Sequence, residues 1–167
     1  MKWNWIRLLI CLAIPLADGG LAALLSGGMS DYGAMAKPPL SPPGGVVPWV
    51  WSILYLVMGY ASYRILESGA AEEEIKKALI LYGLQLAANF IWPLLFFGGG
   101  WFLLSFFWLI LLWVLIFLTI QAFSKIDETA GNLLIPYILW VTFAAYLNFG
   151  IYILNGLKKI CNGKILW

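Results

Sequence analysis

The chain has 167 residues, 63% of them hydrophobic and only 11% charged, with a formal net charge of +2 and no histidine. Soluble domains carry about 25% charged residues, so this is the composition of an integral membrane protein, and the small, scattered charge leaves no footprint for nucleic acid. Without imidazole there is no histidine general base, serine–histidine triad, histidine metal site or histidine ligand to a haem iron.

The first apolar segment runs from about Trp5 to Leu25. It follows Lys2 and Arg7 as the core of a signal peptide would. Pro15-Leu16-Ala17 is a poor cleavage site, however, and apolar character resumes at Leu21, which predicts a retained membrane helix. Asp18 is the one acid inside a predicted span, where a charged carboxylate costs about 2.5–3.5 kcal/mol on insertion scales. It reads either as a pocket residue or proton acceptor, or as a carboxyl satisfied near the Gly19-Gly20 backbone. Cys11, in the same span, reads as a small buried hydrophobe. Cys161, in the polar tail, falls toward the opposite membrane face, so no disulfide is expected between the two.

Residues 26–45 form a long connection rich in Gly and Pro, and "AKPPLSPPGG" at 36–45 holds four of the chain's eight prolines. Each proline fixes φ and removes an N–H, so the segment is stiff and extended, suited to a lid. A second span covers about 46–66, followed by a polar connection with Glu72-Glu73-Glu74. The third covers about 78–97 and ends at the tight turn Gly98-Gly99-Gly100. The fourth covers 101–123, the fifth 133–155, with a short polar link at 124–132 between them. Each is close to the roughly 20 residues that cross the hydrocarbon core, and helices satisfy their own backbone there whereas open sheets do not. The expected fold is an all-α, five-transmembrane-helix bundle forming one domain over 1–167, a multi-pass membrane protein (of the cell membrane in a prokaryote). No internal repeat is visible, and the basic residues divide too evenly between the two faces to orient the chain.

At about 1.5 Å rise per residue, Tyr55 lies about 12 Å below the lid-side face, Asn89 about 12 Å and Asn148 about 10 Å. Trp51, Tyr55 and Ser62 share one face of the second span; Gln85, Asn89 and Trp92 one of the third; Trp140, Ala144 and Asn148 one of the fifth. Amides in hydrocarbon turn inward to find partners. These faces therefore predict either a hollow beneath the lid, walled by aromatic rings and pointed with amides, or ordinary packing with amides bonding between helices. Of the ten tryptophans, Trp3, Trp5, Trp49, Trp101 and Trp167 lie near span ends, as in an aromatic belt; Trp108 and Trp113 suit lipid or packing contact. Small residues four apart, Gly19, Ala23 and Gly27 in the first span and Gly83 with Ala87 in the third, mark close helix contacts within the bundle or in a homodimer.

The ordered motifs Lys37-Pro38-Pro39 with Pro42-Pro43, "PWVWSILYLVMGYASY" at 48–63, "NFIWPLLFF" at 89–97 and "PYILWVTFAAYLN" at 136–148 resemble those of the TspO family of tryptophan-rich sensory proteins and mitochondrial translocator relatives. The likeness extends from about Gly19 to Asn155. It implies a five-helix bundle, often a homodimer, in the lipid bilayer. It also implies a pocket under the first loop for porphyrins, notably protoporphyrin IX, with sterols or drug-like apolar molecules in many members. By motif match Trp51, Asn89, Trp92, Trp140, Ala144 and Asn148 fall on or beside the family's pocket positions; with Tyr55 from the shared helix faces and Tyr32 and Pro39 of the lid, they are the expected ligand-binding residues. No cofactor or metal is required.

The leading expectation is a receptor, sensor or carrier for metal-free porphyrin-like tetrapyrroles. The alternatives are a light-dependent porphyrin-degrading enzyme, in which Trp51 and Trp140 would be catalytic, and a lipid or sterol transporter. Two departures from the family stand in the lid: Asp31 precedes Tyr32 where a tryptophan is usual, and Leu40 replaces an aromatic between the proline pairs, leaving fewer rings to stack on a ligand. Leu147, Tyr152 and Lys158 also fit a loose sterol-recognition pattern.

Overall fold

The computed structural model describes residues 4–27, 32, 33 and 35–161, with side chains to Asn155. Five segments in it are long and apolar enough to cross a membrane, and among the described residues there is no strand. Helix α1 (Trp5–Leu25) begins at Asn4, whose side chain accepts from Arg7 N at 3.1 Å, an N-cap in a chain otherwise poor in polar caps. Its buried residues are few, Cys11, Pro15 and Ala22, one stripe along the helix. Pro15 removes the helical bond to the Cys11 carbonyl. Gly59 of α2 (Val46–Leu66) lies against that freed carbonyl. A Cβ at Gly59 would come within 2.5 Å of Cys11 O and 2.8 Å of Leu12 Cα, so only glycine allows the two backbones to approach this closely.

Helix α3 (Glu72–Pro93) starts six residues earlier than the hydropathy predicts, because its three glutamates sit in the first turn, where they complement the helix dipole. Past Pro93 the chain widens into a π turn, Leu94–Gly98, closed by Gly99 N donating to Leu94 O at 2.8 Å. In α4 (Phe102–Ile126) the buried residues Ser105, Leu109, Leu112, Ile116, Thr119 and Phe123 form one stripe with helical spacing. Most of the rest of its surface is apolar and faces outward, as a lipid-facing helix requires.

The expected polar link at 124–132 is mostly helix. Asp127 caps a short α5 (Glu128–Leu133) by accepting from Thr129 N at 2.9 Å and Ala130 N at 3.2 Å. It also receives Arg64 of α2, whose Nη2 lies 2.8 Å from Oδ2. After Leu134 the chain continues as α6 (Ile135–Cys161).

Around the bundle the neighbours run α1, α2, α5 with α6, α4, α3 and back to α1. Between α2 and α6 the interior is aromatic: Trp51 meets Tyr137 edge-on with centroids 6.3 Å apart. The proline-rich connection is fastened to α6. Ala36 N donates to Asn155 Oδ1 at 3.2 Å while Asn155 Nδ2 donates to Ala36 O at 2.9 Å. Tyr146 donates to Pro39 O at 3.0 Å, and Pro38 is buried against Gly150.

Candidate functional site

Beneath this connection lie two adjoining cavities. The larger, of about 410 Å³, is bounded by Leu16, Gly19 and Ala23 of α1, Val47, Trp51 and Tyr55 of α2, and Asn89, Trp92 and Phe97 at the end of α3. Its size is within the range of small-molecule sites, about 300–1,000 Å³. The smaller, of about 40 Å³, is bounded by Tyr32, Trp140, Ala144, Leu147 and Asn148. Val47, Trp51, Trp92 and Phe97 border both, so the rings of Trp51 and Trp92, 6.0 Å apart and tilted by 30°, form the partition.

The single hollow expected from the three helix faces is therefore divided. Trp51, Tyr55, Asn89 and Trp92 surround the large cavity, and Trp140, Ala144 and Asn148 surround the small one. Asn148 does not join Tyr55 and Asn89. Its Nδ2 donates to Ser105 Oγ of α4 at 2.9 Å, and it is 1% exposed. The helical rotation of α6 decides this outcome, turning Asn148 toward α4 instead of across to α3. Trp140 packs on Phe143 with centroids 5.6 Å apart.

Tyr55, Asn89, Tyr137 and Gln85 form a continuous buried chain of hydrogen bonds. Tyr55 donates to Asn89 Oδ1 at 3.0 Å, Asn89 Nδ2 to Tyr137 Oη at 2.7 Å, and Tyr137 to Gln85 Oε1 at 2.9 Å. Asn89 is met by phenols on two other helices and the Gln85 carbonyl by one of them, so the chain fixes α2, α3 and α6 around the cavity floor. Trp51 stacks on Tyr55 with centroids 5.7 Å apart. The Tyr55 ring lies directly over Gly19, where any side chain would collide with it.

Around the small cavity three polar groups have no partner: Trp92 Nε1, Trp140 Nε1 and Tyr32 Oη. Unpaired donors in so dry a place cost free energy unless a ligand or water meets them. Burial raises the Tyr32 phenol above its ordinary value, with nearby Ser41 pulling the other way. Lys37 Nζ sits 4.5 Å from the centre of the Tyr32 ring. Pro39 is exposed and borders neither cavity. Leu40 is 83% exposed with φ of +68° and likewise borders neither. Asp31 lies outside the described residues.

Sequence reasoning missed α1 as a wall. Leu16, Gly19 and Ala23 carry no functional group, and Asp18, the residue of this helix weighed as a pocket candidate, borders neither cavity. It also missed Tyr137, three residues before Trp140 on the same inward stripe, and Ser105, the polar member of the α4 stripe. The expected sterol pattern does not form one surface: Leu147 turns into the small cavity, Tyr152 is outward-facing, and the Lys158 side chain lies outside the described residues. Near the span ends Trp49 is 74% and Trp101 60% exposed, in belt positions. Trp108 instead donates to Ala88 O at 2.8 Å and Trp113 to Thr142 Oγ1 at 2.9 Å, both between helices. Gly83 and Ala87 face outward from α3.

A model of the TspO/MBR family matches residues 9–154. The chain is 36% identical over 157 residues to the tryptophan-rich protein TspO of Chlorobaculum tepidum, covering 93% of this chain and 99% of that one. It is 36% identical over 154 residues to the translocator protein of Sus scrofa, 89% of each chain. To the tryptophan-rich sensory protein of Cereibacter sphaeroides it is 34% identical over 155 residues, 93% of this chain and 95% of the other. These matches run through all five spans, the proline-rich lid and every residue that walls the two cavities, and they make this chain a multi-pass membrane protein belonging to the TspO/MBR family.

Proposed function

We propose that the chain binds a flat, largely apolar molecule with hydrogen-bond acceptors at its rim, a porphyrin-like tetrapyrrole such as protoporphyrin IX, and acts as its sensor or carrier in the membrane. The observation that carries this reading is the aromatic-walled cavity of about 410 Å³, continued past Trp51 and Trp92 by a second space. Trp92 Nε1 and Trp140 Nε1 are left unpaired there. Rings stack on an apolar plane and the spare indole donors meet carboxylate or carbonyl oxygens at its edge. A chain without histidine favours a metal-free macrocycle. A sterol-like molecule would also find apolar walls, but it offers a single hydroxyl to several unspent donors. Gly83 and Ala87, bare on the outside of α3, are the proposed contact of a homodimer.

Titration of the full chain in detergent with protoporphyrin IX tests the reading. Saturable quenching of tryptophan fluorescence is expected. Trp51→Phe should weaken binding about three- to tenfold, and Trp101→Phe, in the belt, should leave it unchanged. Quenching that never saturates, or that survives denaturation, overturns it. Flux into proteoliposomes above that of empty vesicles would distinguish a carrier from a receptor.

A second reading is favoured by the contact of Trp51 with Tyr55, Trp92 and Tyr137 at centroid distances of 5.7, 6.0 and 6.3 Å. These are oxidisable rings in an unbroken cluster, the arrangement that light- and oxygen-dependent breakdown of a bound porphyrin would use. That reading expects bleaching that Trp51→Phe or Trp140→Phe abolishes. Equal bleaching by denatured protein dismisses it.

A further inference from the structure

The large cavity has an open side, between α1 and α2. The two helices touch closely at two levels, where Gly59 meets the Cys11 carbonyl and where Gly19 underlies the Tyr55 ring. Nearer the lid, α1 stays with the π turn instead. Ser26 is buried there, its Cα 3.7 Å from where a Cβ on Gly98 would stand. A slot is left between α1 and α2. Gly20 and Ala23 on one side, and Pro48 and Ser52 on the other, all border the cavity, and all four are exposed. A Cβ at Gly20 would meet nothing within 4 Å. Gly19 and Ala23 were expected to mark one close helix contact; Gly19 makes it, and Ala23 stands at an opening.

The slot opens into lipid. Helices of 21 residues are about 31 Å long, close to the thickness of the hydrocarbon core, so their ends stand near its boundaries. Counted from those ends, Ala23 and Pro48 lie about 3 Å, Gly20 about 8 Å and Ser52 about 9 Å below the lid-side boundary. This is the depth of acyl chains in the lid-side leaflet. Exposed apolar side chains flank the slot, Leu21 and Leu24 on α1 and Trp49 and Ile53 on α2. Its own hydroxyls are spent: Ser52 Oγ donates to Pro48 O at 2.9 Å and Ser26 Oγ to Ala23 O at 3.2 Å, each back onto its own helix. A molecule passing through meets small or apolar groups and reaches Tyr55 and Asn89 inside the cavity. Entry past the lid would instead require breaking both Ala36–Asn155 bonds and the bond from Tyr146 to Pro39 O.

We infer that this slot is the entrance of the site: a flat apolar molecule dissolved in the lid-side leaflet slides edgewise between α1 and α2 into the large cavity, while the lid stays fastened. This rests on the reading of that cavity as a ligand site. The chain then takes its ligand from the membrane, and molecules that dissolve in hydrocarbon before they bind are the class it admits.

Stopped-flow quenching of tryptophan fluorescence by protoporphyrin IX, with the full chain in lipid nanodiscs, tests the route. Gly20→Leu places a branched side chain in the open mouth, and association and dissociation should slow together, each about tenfold. Ala23→Leu, on the same rim, should do likewise and decides the matter if the first variant does not fold. Asn155→Ala, which loosens the lid, should change neither rate. Unchanged rates in the mouth variants, a change in one rate without the other, or faster rates in Asn155→Ala overturn the inference. Spin labels test the opening without a ligand. On Ser52→Cys, in a Cys11→Ala, Cys161→Ala background, the label should collide often with oxygen, which concentrates in lipid, and rarely with a water-soluble nickel chelate, as a label on Leu24→Cys does. Ready access of the chelate, or access of neither, overturns a slot that opens into the bilayer. Failure of protoporphyrin IX to bind counts against the cavity as a ligand site, and the spin-label result then decides the opening by itself.

Discussion

Asn89 and Asn148 are both buried asparagines, predicted at similar depth, yet they do different work. Asn89 joins two phenols from two other helices, and its loss strands Tyr55 and leaves Tyr137 only its bond to Gln85. Asn148 has one partner, Ser105, which also donates to Phe102 O at 3.0 Å and so retains a bond without it. Asn89→Leu should therefore lower unfolding stability by about 2–3 kcal/mol and Asn148→Leu by about 1 kcal/mol, read from thermal or denaturant unfolding in detergent. Equal losses would contradict the network. That both amides face inward was legible in the sequence, since hydrocarbon leaves them no other choice. Which partner each finds was not, because the answer depends on the rotation of α6 relative to α4, and a stripe of residues leaves that rotation open. Gly59 is a similar case. Its role depends on a carbonyl freed by Pro15 on another helix, and nothing within α2 announces it.

Among the elements, the lid is stiffened by its own prolines but anchored by α6. Asn155 takes both the N–H and the C=O of Ala36, and Tyr146 takes the Pro39 carbonyl. Asn155→Ala should free the segment without disturbing the bundle. Faster hydrogen exchange at the Ala36 amide is expected, with the unfolding temperature nearly unchanged. Protection equal to that of the unmodified chain would mean that the prolines alone secure the lid. The stiffness was readable from two proline pairs, since proline's constraint is local. The anchor was not, because it joins residues 119 positions apart. The helices were placed well by hydropathy at their apolar middles and less well at their ends. There the three glutamates of α3 and the Asp127 cap of α5 extended helix into stretches that composition alone reads as loop.

For the whole molecule, five crossings put the N-terminal end of α1, the α2–α3 connection and the α4–α5 joint on one membrane face and the lid on the other. Single cysteines in a Cys11→Ala, Cys161→Ala background test this. Glu73→Cys and Lys125→Cys should react with an impermeant thiol reagent from the same side, and Ser41→Cys from the opposite one. Labelling of all three from one side would refute five spans. Crossing number, helical class and the presence of a stiff lid follow from the sequence by itself, because the bilayer supplies an outside reference: about 20 apolar residues must span it and every backbone group within must be paired. Only the tertiary structure decided that the hollow is split by Trp51 and Trp92, that α1 forms one of its walls, and that Tyr55, Asn89, Tyr137 and Gln85 join in one chain of hydrogen bonds. Cavities are what packing leaves unfilled, and that depends on how rings from several helices interlock at a distance of a few ångströms, a relation between elements that periodicity within any one of them does not encode.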